Sequence, residues 1–540
     1  MTSSEAPALG NAPHVDDELF INDVNLRDAR DGQRKDNGGG GERLRLEEEL
    51  PSENEFRTTG LRLFLILSSL LVSVFCQALD DTIIATAIPP ITDHFRRLSH
   101  VGWYGSVYLL TNCAFQLFYG KLYKIFPLRW VFMSALFIFE LGSLVAAIAP
   151  KSETLVTGRA VAGIGAAGIT SGAMTIMAHT APVRWRPTFT SMIGAVYGVA
   201  SVVGPLLGGV LAEKASWRWI FYLNLPLGGA SAFILSLSLK RLPPSAAGQI
   251  LPVAMTIKRL DLVGTFTFIA SIACLLTALQ YGGTTTPWSS GLVVALLTIF
   301  AILLATFILA QILQKDENAT IPTHIAKNRN MAFGAIFAIC QGGAFNIFIF
   351  YLPLYFQVIK GANPIRSGIN YLPLILVNTI GIIISGLLTT KLGYQLIFAI
   401  GSGFGLQQPF VTAQTSLPLE EVSTGMAIML FSQLGGGAIF VPVAQSVFLS
   451  ELVTSVGRAG IPGLDPHQLI TLGATQFKQI IPPADIPRVV LAYNSGLQKA
   501  YKVALILACV SIIGPLGMKW VSLKPAAHKK APITANEDKV

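Results

Sequence analysis

The feature that most constrains the fold is a succession of thirteen long apolar segments. Only 13% of the residues are charged, against about 25% in soluble domains. Inside a bilayer every backbone N–H and C=O group must be paired within the protein, and a helix achieves this within one segment. The sequence therefore predicts an all-α polytopic membrane protein. The approximate segment limits are 61–88, 102–120, 130–149, 155–178, 188–212, 219–239, 262–281, 291–314, 331–358, 367–390, 395–416, 424–449 and 501–518.

The charges outside these segments predict the orientation of the chain. Residues 1–58 are acidic, polar and rich in glycine, which is typical of a disordered tail. We expect this N-terminal tail in the cytosol, together with the basic tail 521–540. The loops expected on the same side carry most of the lysines and arginines, as the positive-inside rule requires. The basic charge therefore reflects topology in the lipid bilayer, and we expect no nucleic-acid partner.

The number of segments conflicts with this orientation at the C-terminal end. With a cytosolic N-terminus, thirteen crossings place the lysine-rich C-terminus outside, whereas its charge favours the cytosol. The segment that begins at Gln395 follows Lys391 almost at once, so we expect that one helix is missing near 394–395. The polar stretch between Glu451 and Lys499 is expected to be an outer loop.

Two adjacent acids, Asp80 and Asp81, interrupt the first apolar stretch, which runs from Leu61 to Pro90. A charged side chain deep in a bilayer costs about 3 kcal/mol or more, so it is rare and usually faces the interior of a helix bundle. A carboxyl in a cavity of low dielectric can load and release a proton near neutral pH. The alternative is that both acids lie at the outer end of the helix and interact with water.

The fourth segment carries one arginine, Arg159, among glycines and alanines. A permanent cation within a membrane needs an acid or a backbone carbonyl as its partner. Asp80, Asp81 and Glu140 of the third segment are the candidates. The alternative is a structural ion pair near the outer surface.

The fifth segment contains the pattern Gly-Pro-x-x-Gly-Gly. Glycines at close spacing flatten one face of a helix, so that a neighbouring helix can approach. A proline removes one backbone hydrogen bond and bends the helix. Such a helix suits a pivot that seals one side of a cavity, although simple packing would explain the same residues. The residues concerned are Gly198, Gly204, Pro205, Gly208 and Gly209.

These patterns resemble signatures of the major facilitator superfamily. They are most similar to its fourteen-span branch of drug:proton antiporters and, within it, to fungal efflux pumps for toxins and secondary metabolites. The resemblance covers roughly residues 56–520. It implies a six-helix bundle over 59–240, a linker with two extra helices over 241–314, and a second bundle over 315–520 that is here one helix short.

The same resemblance implies roles for the charged residues. The family's proton carrier corresponds to Asp80, with Asp81 as the alternative. Arg159 belongs to proton transfer in this family, and Glu140 is a candidate partner for it. The Gly-Pro-x-x-Gly-Gly pattern corresponds to the antiporter motif.

The loop after the second segment resembles the superfamily's cytosolic gate motif at Gly120, Leu122 and Arg129. In the family, the fifth position of this motif is an acid that engages a helix N-terminus and latches the gate. Here the position holds Lys124. The resemblance therefore implies a gate formed by Gly120, Lys124 and Arg129, without the usual acid-based latch.

The later segments carry uncharged amides beside aromatic residues, which suits a cavity for large, amphipathic and mostly neutral ligands. The candidates are Gln341, Asn346, Gln407 and Gln408. The alternative is that these amides only form hydrogen bonds between helices. The sequence has neither a Walker A motif for ATP nor a constellation of metal ligands in its spans, so we expect no cofactor and no metal.

The patterns and the resemblance together predict a transporter and not an enzyme. We expect proton-coupled efflux of a small hydrophobic toxin, metabolite or drug by alternating access, carried out by a monomer. The expected location is the plasma membrane, with a vacuolar or vesicular membrane as the alternative. Three other functions stay open: a proton-coupled importer of a siderophore or nutrient, a membrane sensor on a transporter fold, and an inactive transporter that lacks a helix.

Overall fold

A computed structural model of the chain describes residues 60–95, 101–238, 260–282, 286–314, 318–362, 364–392, 405–461 and 481–519. Within these ranges the chain is helical apart from turns and one isolated bridge between Gly282 and Thr286, which confirms the predicted all-α class. Both predicted tails and the junction at 394–395 lie outside the described residues. The main helices are α1 (Gly60–Phe95), α2 (Val101–Ile125), α3 (Leu128–Ala147), α4 (Ser152–Thr180), α5 (Arg186–Lys214), α6 (Asn224–Ser238), α7 (Leu262–Tyr281), α8 (Gly291–Leu313), α9 (Arg329–Leu354), α10 (Pro364–Leu392), α11 (Gln408–Ser416), α12 (Val422–Ala459) and α13 (Ile486–Ser511).

Eleven spans in the described part of the chain are long and apolar enough to cross a membrane. They include every main helix except α2 and α11. Helix α2 has 25 residues, but tyrosines and amides lower its hydropathy. Those polar groups are turned inward, since Tyr104, Tyr108, Asn112 and Gln116 are all buried. A helix surrounded by other helices does not have to present an apolar face to lipid.

The segment predicted at 395–416 makes no full crossing in its described part. Helix α11 has nine residues, about 14 Å, whereas the apolar core of a bilayer is about 30 Å thick. It ends beside the start of α9, where Asn330 Nδ2 donates to Ser416 Oγ (3.0 Å). The chain after α13 returns to the same place, since the Lys519 N–H donates to Asn330 Oδ1 (2.7 Å). Helix α11 and the described chain after α13 therefore end at the same end of the bundle, while residues 393–404 lie outside the described part of the chain.

The start of α1 lies at the end of the helix bundle where α9 begins and α11 ends. Arg186, the first residue of α5, donates through Nη1 to the carbonyl of Gln414 near the end of α11 (3.2 Å). Helix α6 runs back from the far end, and the carbonyl of its last residue, Ser238, accepts from Arg62 Nε (2.9 Å). We call this end, at which α2 also ends and α3 begins, the gate end.

The predicted limits of the outer loop, Glu451 and Lys499, are wrong because a helix occupies each end of this stretch. Helix α12 continues to Ala459 and stops at Gly460, whose φ of +59° is a conformation that glycine adopts easily. Helix α13 begins at Ile486. Mean hydropathy does not identify the first turns of α13 because only one face of this helix is apolar. The residues of that face follow the three- and four-residue spacing of an amphipathic helix. They are buried, and they are Val489, Ala492, Tyr493 and Leu497.

Small residues let the helices around α4 approach one another closely. A Cβ atom at Gly165 of α4 would lie 2.3 Å from the backbone nitrogen of Phe139 on α3. A Cβ atom at Gly163 would lie 2.4 Å from the carbonyl oxygen of Tyr108 on α2. Contacts of this kind are typical of helix packing in membranes, and they hold α2, α3 and α4 around the site described below.

Helices α7 and α8 form a hairpin that packs against α2 and α12. Phe268 of α7 lies against Phe307 of α8 and Phe431 of α12, with ring centroids 5.0 and 5.1 Å apart. At the far end, Trp288 Nε1 donates to Ser446 Oγ on α12 (3.1 Å). This pair of helices therefore covers the line along which α2 and α12 meet.

Candidate proton and substrate site

Asp80 lies in the interior of the helix bundle. It is twenty residues, or about 30 Å, after the start of α1 at Gly60, and its exposed fraction is 0%. The helix continues for about four more turns, to Phe95. The carboxyl group is thus enclosed by protein and far from both helix ends.

Arg159 on α4 is the cationic partner of Asp80. Its Nη1 donates to Asp80 Oδ2, and both side chains are buried. Its Nε donates to the backbone oxygen of Tyr104 on α2 (3.0 Å). One turn further along α2, the ring centroid of Tyr108 lies 4.2 Å from the guanidinium carbon, an arrangement that stabilises the cation. Of the three acids considered from the sequence, the structure pairs Asp80 with the arginine.

Asn224, the first residue of α6, binds the other oxygen of Asp80. Its Nδ2 donates to Asp80 Oδ1 (2.9 Å) and to Ser143 Oγ on α3 (3.1 Å). Its Oδ1 accepts from the thiol of Cys76 on α1 (3.4 Å). Asn224 could not be singled out from the sequence, because a single amide at the start of an apolar segment also occurs in ordinary helix packing.

The two other predicted acids stand apart from this pair. Asp81 is partly exposed within the bundle. Neither carboxylate oxygen of Glu140 has a hydrogen-bond partner among the described residues. Glu140 faces α6, where a Cβ atom at Gly228 would lie 1.6 Å from Oε1. Glu140 is therefore not the partner of Arg159 in this structure.

A second group of polar side chains extends from Asp80 toward α5. Thr170 of α4 donates to Gln77 Oε1 on α1 and lies 3.1 Å from the hydroxyl of Tyr197 on α5. The hydroxyl of Tyr108 donates to the backbone oxygen of Gln77 (3.3 Å). Four helices therefore share hydrogen bonds within one turn of the Asp80 carboxyl.

The glycines predicted as a sealing motif differ in what they contact. A Cβ atom at Gly204 would lie 2.2 Å from Thr82 Oγ1 on α1, and the Thr82 hydroxyl is 3.1 Å from the backbone oxygen of Ala200 on α5. Gly208 is buried. At Gly209, by contrast, no atom of the described chain lies within 4 Å of a Cβ position. The close approach of α5 to α1 therefore depends on Gly204.

Gly198 lies on the opposite side of α5, and Pro205 affects the shape of this helix. A Cβ atom at Gly198 would lie 1.9 Å from Thr379 Oγ1 on α10. Pro205 lies inside α5 and removes the hydrogen bond to the carbonyl of Ser201. Nearer the gate end, the hydroxyls of Thr188 and Thr390 are 2.7 Å apart. Helix α5 thus packs against α1 on one face and α10 on another.

The gate motif lies where α2 meets the start of α12. A Cβ atom at Gly120 would lie 2.4 Å from Cβ of Ala427. Lys124 Nζ is 3.9 Å from Glu421 Oε1, just before α12, and His324 Nε2 is 2.7 Å from the same oxygen. In place of the family's acid on α2, the structure therefore has a base on α2 and an acid beside α12.

Arg129, the third predicted gate residue, lies on α3. Its guanidinium carbon is 5.2 Å from the ring centroid of Trp130, and its Nε has no hydrogen-bond partner within the described ranges. Gly120 and Lys124 thus contact the region around α12, whereas Arg129 contacts the ring of its own neighbour, Trp130.

A buried acid, Asp261, precedes α7 at the gate end and was not singled out from the sequence. It accepts from Gln311 Nε2 (2.8 Å), Gln314 Nε2 (2.9 Å) and Thr320 Oγ1 (2.8 Å). Burial raises the pKa of Asp261, but these hydrogen bonds outweigh it, so the pKa lies below its usual value. Burial lowers the pKa of nearby Lys121 to about 8, against the attraction of Asp261. This cluster connects the α7–α8 hairpin to the gate end of α2.

The four amides predicted for a substrate cavity mostly contact neighbouring helices. Gln341 Nε2 donates to Ser511 Oγ (3.3 Å), and Gln408 Nε2 donates to Ser385 Oγ (2.7 Å). Asn346 Nδ2 donates to a carbonyl of its own helix, α9. These contacts fit the alternative of hydrogen bonding between helices.

Gln407 is the amide that faces the contact between α5 and α10. A Cβ atom at Gly194 of α5 would lie 2.4 Å from its Nε2. Its Oε1 is buried and has no hydrogen-bond partner among the residues that the structure describes. Gln408 Oε1 likewise has no described partner, so the contact with α5 at Gly194 is what distinguishes Gln407 from the other three amides.

Comparisons with known proteins agree with this architecture. A model of the Major Facilitator Superfamily matches residues 70–460. The efflux pump aflT of Aspergillus parasiticus is 43% identical over 507 residues, which cover 88% of this chain and 98% of that protein. The MFS-type efflux pump MFS1 of Trichophyton rubrum is 47% identical over 500 residues, which cover 86% of this chain and 93% of that protein. These relatives confirm the resemblance to fungal efflux pumps.

A solved structure supports the fold independently of these relatives. The proton:xylose symporter XylE superposes with a TM-score of 0.52 over 85% of this chain and 95% of that chain. The two sequences are 14% identical, so the likeness concerns the fold alone.

Proposed function

Since this chain belongs to the major facilitator superfamily, a family of membrane transporters and not of enzymes, we propose that it exports small hydrophobic molecules in exchange for protons. The names of the relatives support the direction of transport. The observation that carries the proton step is a buried carboxylate, Asp80, held by one cation and one amide. Asp81 is the alternative carrier, since it is adjacent in α1.

The proton step follows from the charges around Asp80. When the carboxyl is ionised, its negative charge is balanced by Arg159. A proton on Asp80 removes this balance, and the buried guanidinium then needs another acceptor. Arg159 Nη2 has no hydrogen-bond partner among the described residues, so this nitrogen is available to a second acid such as Asp81. Loading a proton would in this way move Arg159 relative to α1.

Helix α5 connects this step to the contact between the two halves of the molecule. Thr82 lies two residues after Asp80 and touches α5 at Gly204 and Ala200. Helix α5 in turn touches α10 at Gly198. A shift of α1 at Asp80 would therefore reach α10 through one helix, and Pro205 makes that helix easier to bend.

The gate end is closed in this structure, and we propose that it faces the cytosol. Gly120 against Ala427 and Lys124 beside Glu421 join α2 to the region of α12. Alternating access requires that this contact opens when the far end closes. The ion pair is partly exposed and so contributes about 0.2–1 kcal/mol, which is weak enough to form and break in each cycle.

The substrate, the membrane and the assembly state are part of the same proposal. We propose a toxin or other secondary metabolite as the substrate, as the resemblance to fungal efflux pumps implies, with Gln407 as the ligand-facing amide. We place the protein in the plasma membrane as a monomer with a cytosolic N-terminus. The proposed organisation has bundles over 59–240 and 315–520, joined by a linker over 241–314.

The experiment uses inside-out membrane vesicles from cells that express the full chain, with a small hydrophobic fluorescent dye as the probe. With an acid interior, export predicts that the dye accumulates inside while the interior loses protons. Vesicles without the protein are the control. Import would move dye out of the vesicle together with the protons, and this result would overturn the proposal in favour of the importer.

A further inference from the structure

The amide of Asn224 has one possible orientation at Asp80. Its Nδ2 donates both of its hydrogen atoms, one to Asp80 Oδ1 and one to Ser143 Oγ. Its Oδ1 faces the thiol of Cys76. The opposite orientation would place an amide oxygen against a carboxylate oxygen, and these two acceptors repel each other. Asn224 is therefore fixed as a donor to Asp80.

We infer that Asn224 is a positioning residue that holds Asp80 in its ionised form and sets the pH at which Asp80 binds a proton. This inference rests on the proposed function, in which Asp80 carries the proton. A donor to a carboxylate stabilises the ionised form over the protonated form. Since Arg159 donates to Oδ2, both carboxylate oxygens accept a hydrogen bond, and each of these bonds favours the ionised form over the protonated one.

The location of Asn224 on α6 makes this role separable from general packing. Ser231 lies two turns further along the same helix, is equally buried, and also contacts α1, where its hydroxyl donates to the carbonyl of Ser69 (2.8 Å). Of these two residues of α6, Asn224 donates to Asp80 and Ser231 does not contact it. Ser231→Ala is thus a matched control that removes a contact between α1 and α6 without touching the carboxyl.

Other titratable groups near Asp80 remain unchanged in both variants. They surround the carboxyl from four helices, so a difference between the variants is due to Asn224 and not to them. These groups are Asp81 and Cys76 on α1, Tyr108 on α2, Glu140 on α3 and Arg159 on α4.

The test follows the infrared carbonyl band of the protonated carboxyl in the purified full chain as pH is varied. Asp80→Asn identifies the band that belongs to this residue. In Asn224→Leu the loss of one hydrogen bond to a charged group shifts the midpoint of this band upward by about one pH unit. In Ser231→Ala the midpoint stays at the wild-type value. If Asn224→Leu does not fold, Asn224→Ala removes the same donor and requires no additional space.

The outcomes separate this inference from the function on which it rests. A band that Asp80→Asn removes, with an upward shift only in the Asn224 variant, supports the positioning role. The same band with no shift in that variant overturns the role and leaves the proton carrier intact. If Asp80→Asn removes no band, the proton carrier is wrong and the positioning role fails with it.

Discussion

Asp80 and Arg159 are 79 positions apart in the chain, yet their side chains form one buried ion pair. The sequence predicted both residues as functional because a charge in an apolar segment is costly. It left the partner of the arginine open among three acids, because distance along a chain does not reveal contact. Asn224 escaped notice for a related reason, since an amide is neutral and carries a smaller cost of burial than a charge.

Arg159→Gln should lower the stability of the protein. It leaves Asp80 buried without its cation, and a broken buried pair costs about 3–5 kcal/mol. The double variant Asp80→Asn with Arg159→Gln removes both charges and should recover part of the loss. Thermal unfolding in detergent measures both changes. Equal melting temperatures for the single and the double variant would contradict the pairing.

At the scale of helices, the sequence predicted which segments are helical better than where each helix begins and ends. Long apolar segments such as 291–314 match α8 closely, because hydropathy alone identifies them. Helices α11 and α13 differ from their predicted segments. The described part of α11 is too short to cross a bilayer, and α13 begins with an amphipathic face that a hydropathy average hides. The contact of α5 with α1 and α10 could not be predicted from the sequence, because the glycine pattern does not indicate which neighbouring helix each glycine contacts.

Gly204→Ala should slow transport while Gly209→Ala leaves it unchanged. A Cβ atom at Gly204 would collide with Thr82 of α1, whereas Gly209 has open space among the described residues. Overpacking costs about 1–3 kcal/mol, and the same cost on the barrier to transport lowers the rate by about 5- to 150-fold. Dye transport by vesicles with equal protein content measures the difference. Similar losses in both variants would show that the motif acts through packing in general.

The gate pair should tolerate an exchange of its charges. Lys124→Glu places two acids together and Glu421→Lys places two bases together, so each single variant should change the transport rate by about two- to fivefold, as expected for an exposed ion pair. The double variant restores the Lys–Glu pair but not the contact of His324 with Glu421, so its rate should lie closer to the wild-type rate than that of either single variant. The control is the same exchange at Lys499 and Glu451, which are 4.0 Å apart and join α13 to α12. Failure of the double exchange to restore transport would rule out a latch of reversed charge.

At the scale of the whole molecule, the fold class and the family were both predictable from the sequence. Of the thirteen predicted segments, eleven correspond to spans that are long and apolar enough to cross in the described part of the chain. The junction at 394–395, where a helix was expected to be missing, lies outside the described residues. What the structure adds is that α1 begins and the described chain ends at the gate end.

Epitope tags at the two termini should therefore lie on the same side of the membrane. The polar tails contain no apolar segment long enough to cross, so the ends of α1 and α13 decide where the tags appear. Protease protection in sealed vesicles measures on which side of the membrane each tag lies. A tag of known orientation is the control. Tags on opposite sides would restore thirteen crossings and contradict the half-length α11.

The exchange of protons for substrate through Asp80 is the central claim, and one variant tests it most directly. Asp80→Asn keeps the size of the side chain and removes the carboxyl, while Ser231→Ala, which removes another buried contact between α1 and α6, is the matched control. Because Asp80→Asn leaves Arg159 without its partner and lowers stability, vesicles are compared at equal protein content. In inside-out vesicles with an acid interior, Asp80→Asn should show neither dye accumulation nor dye-dependent proton loss. Accumulation and proton loss at the wild-type rate in Asp80→Asn would contradict the claim.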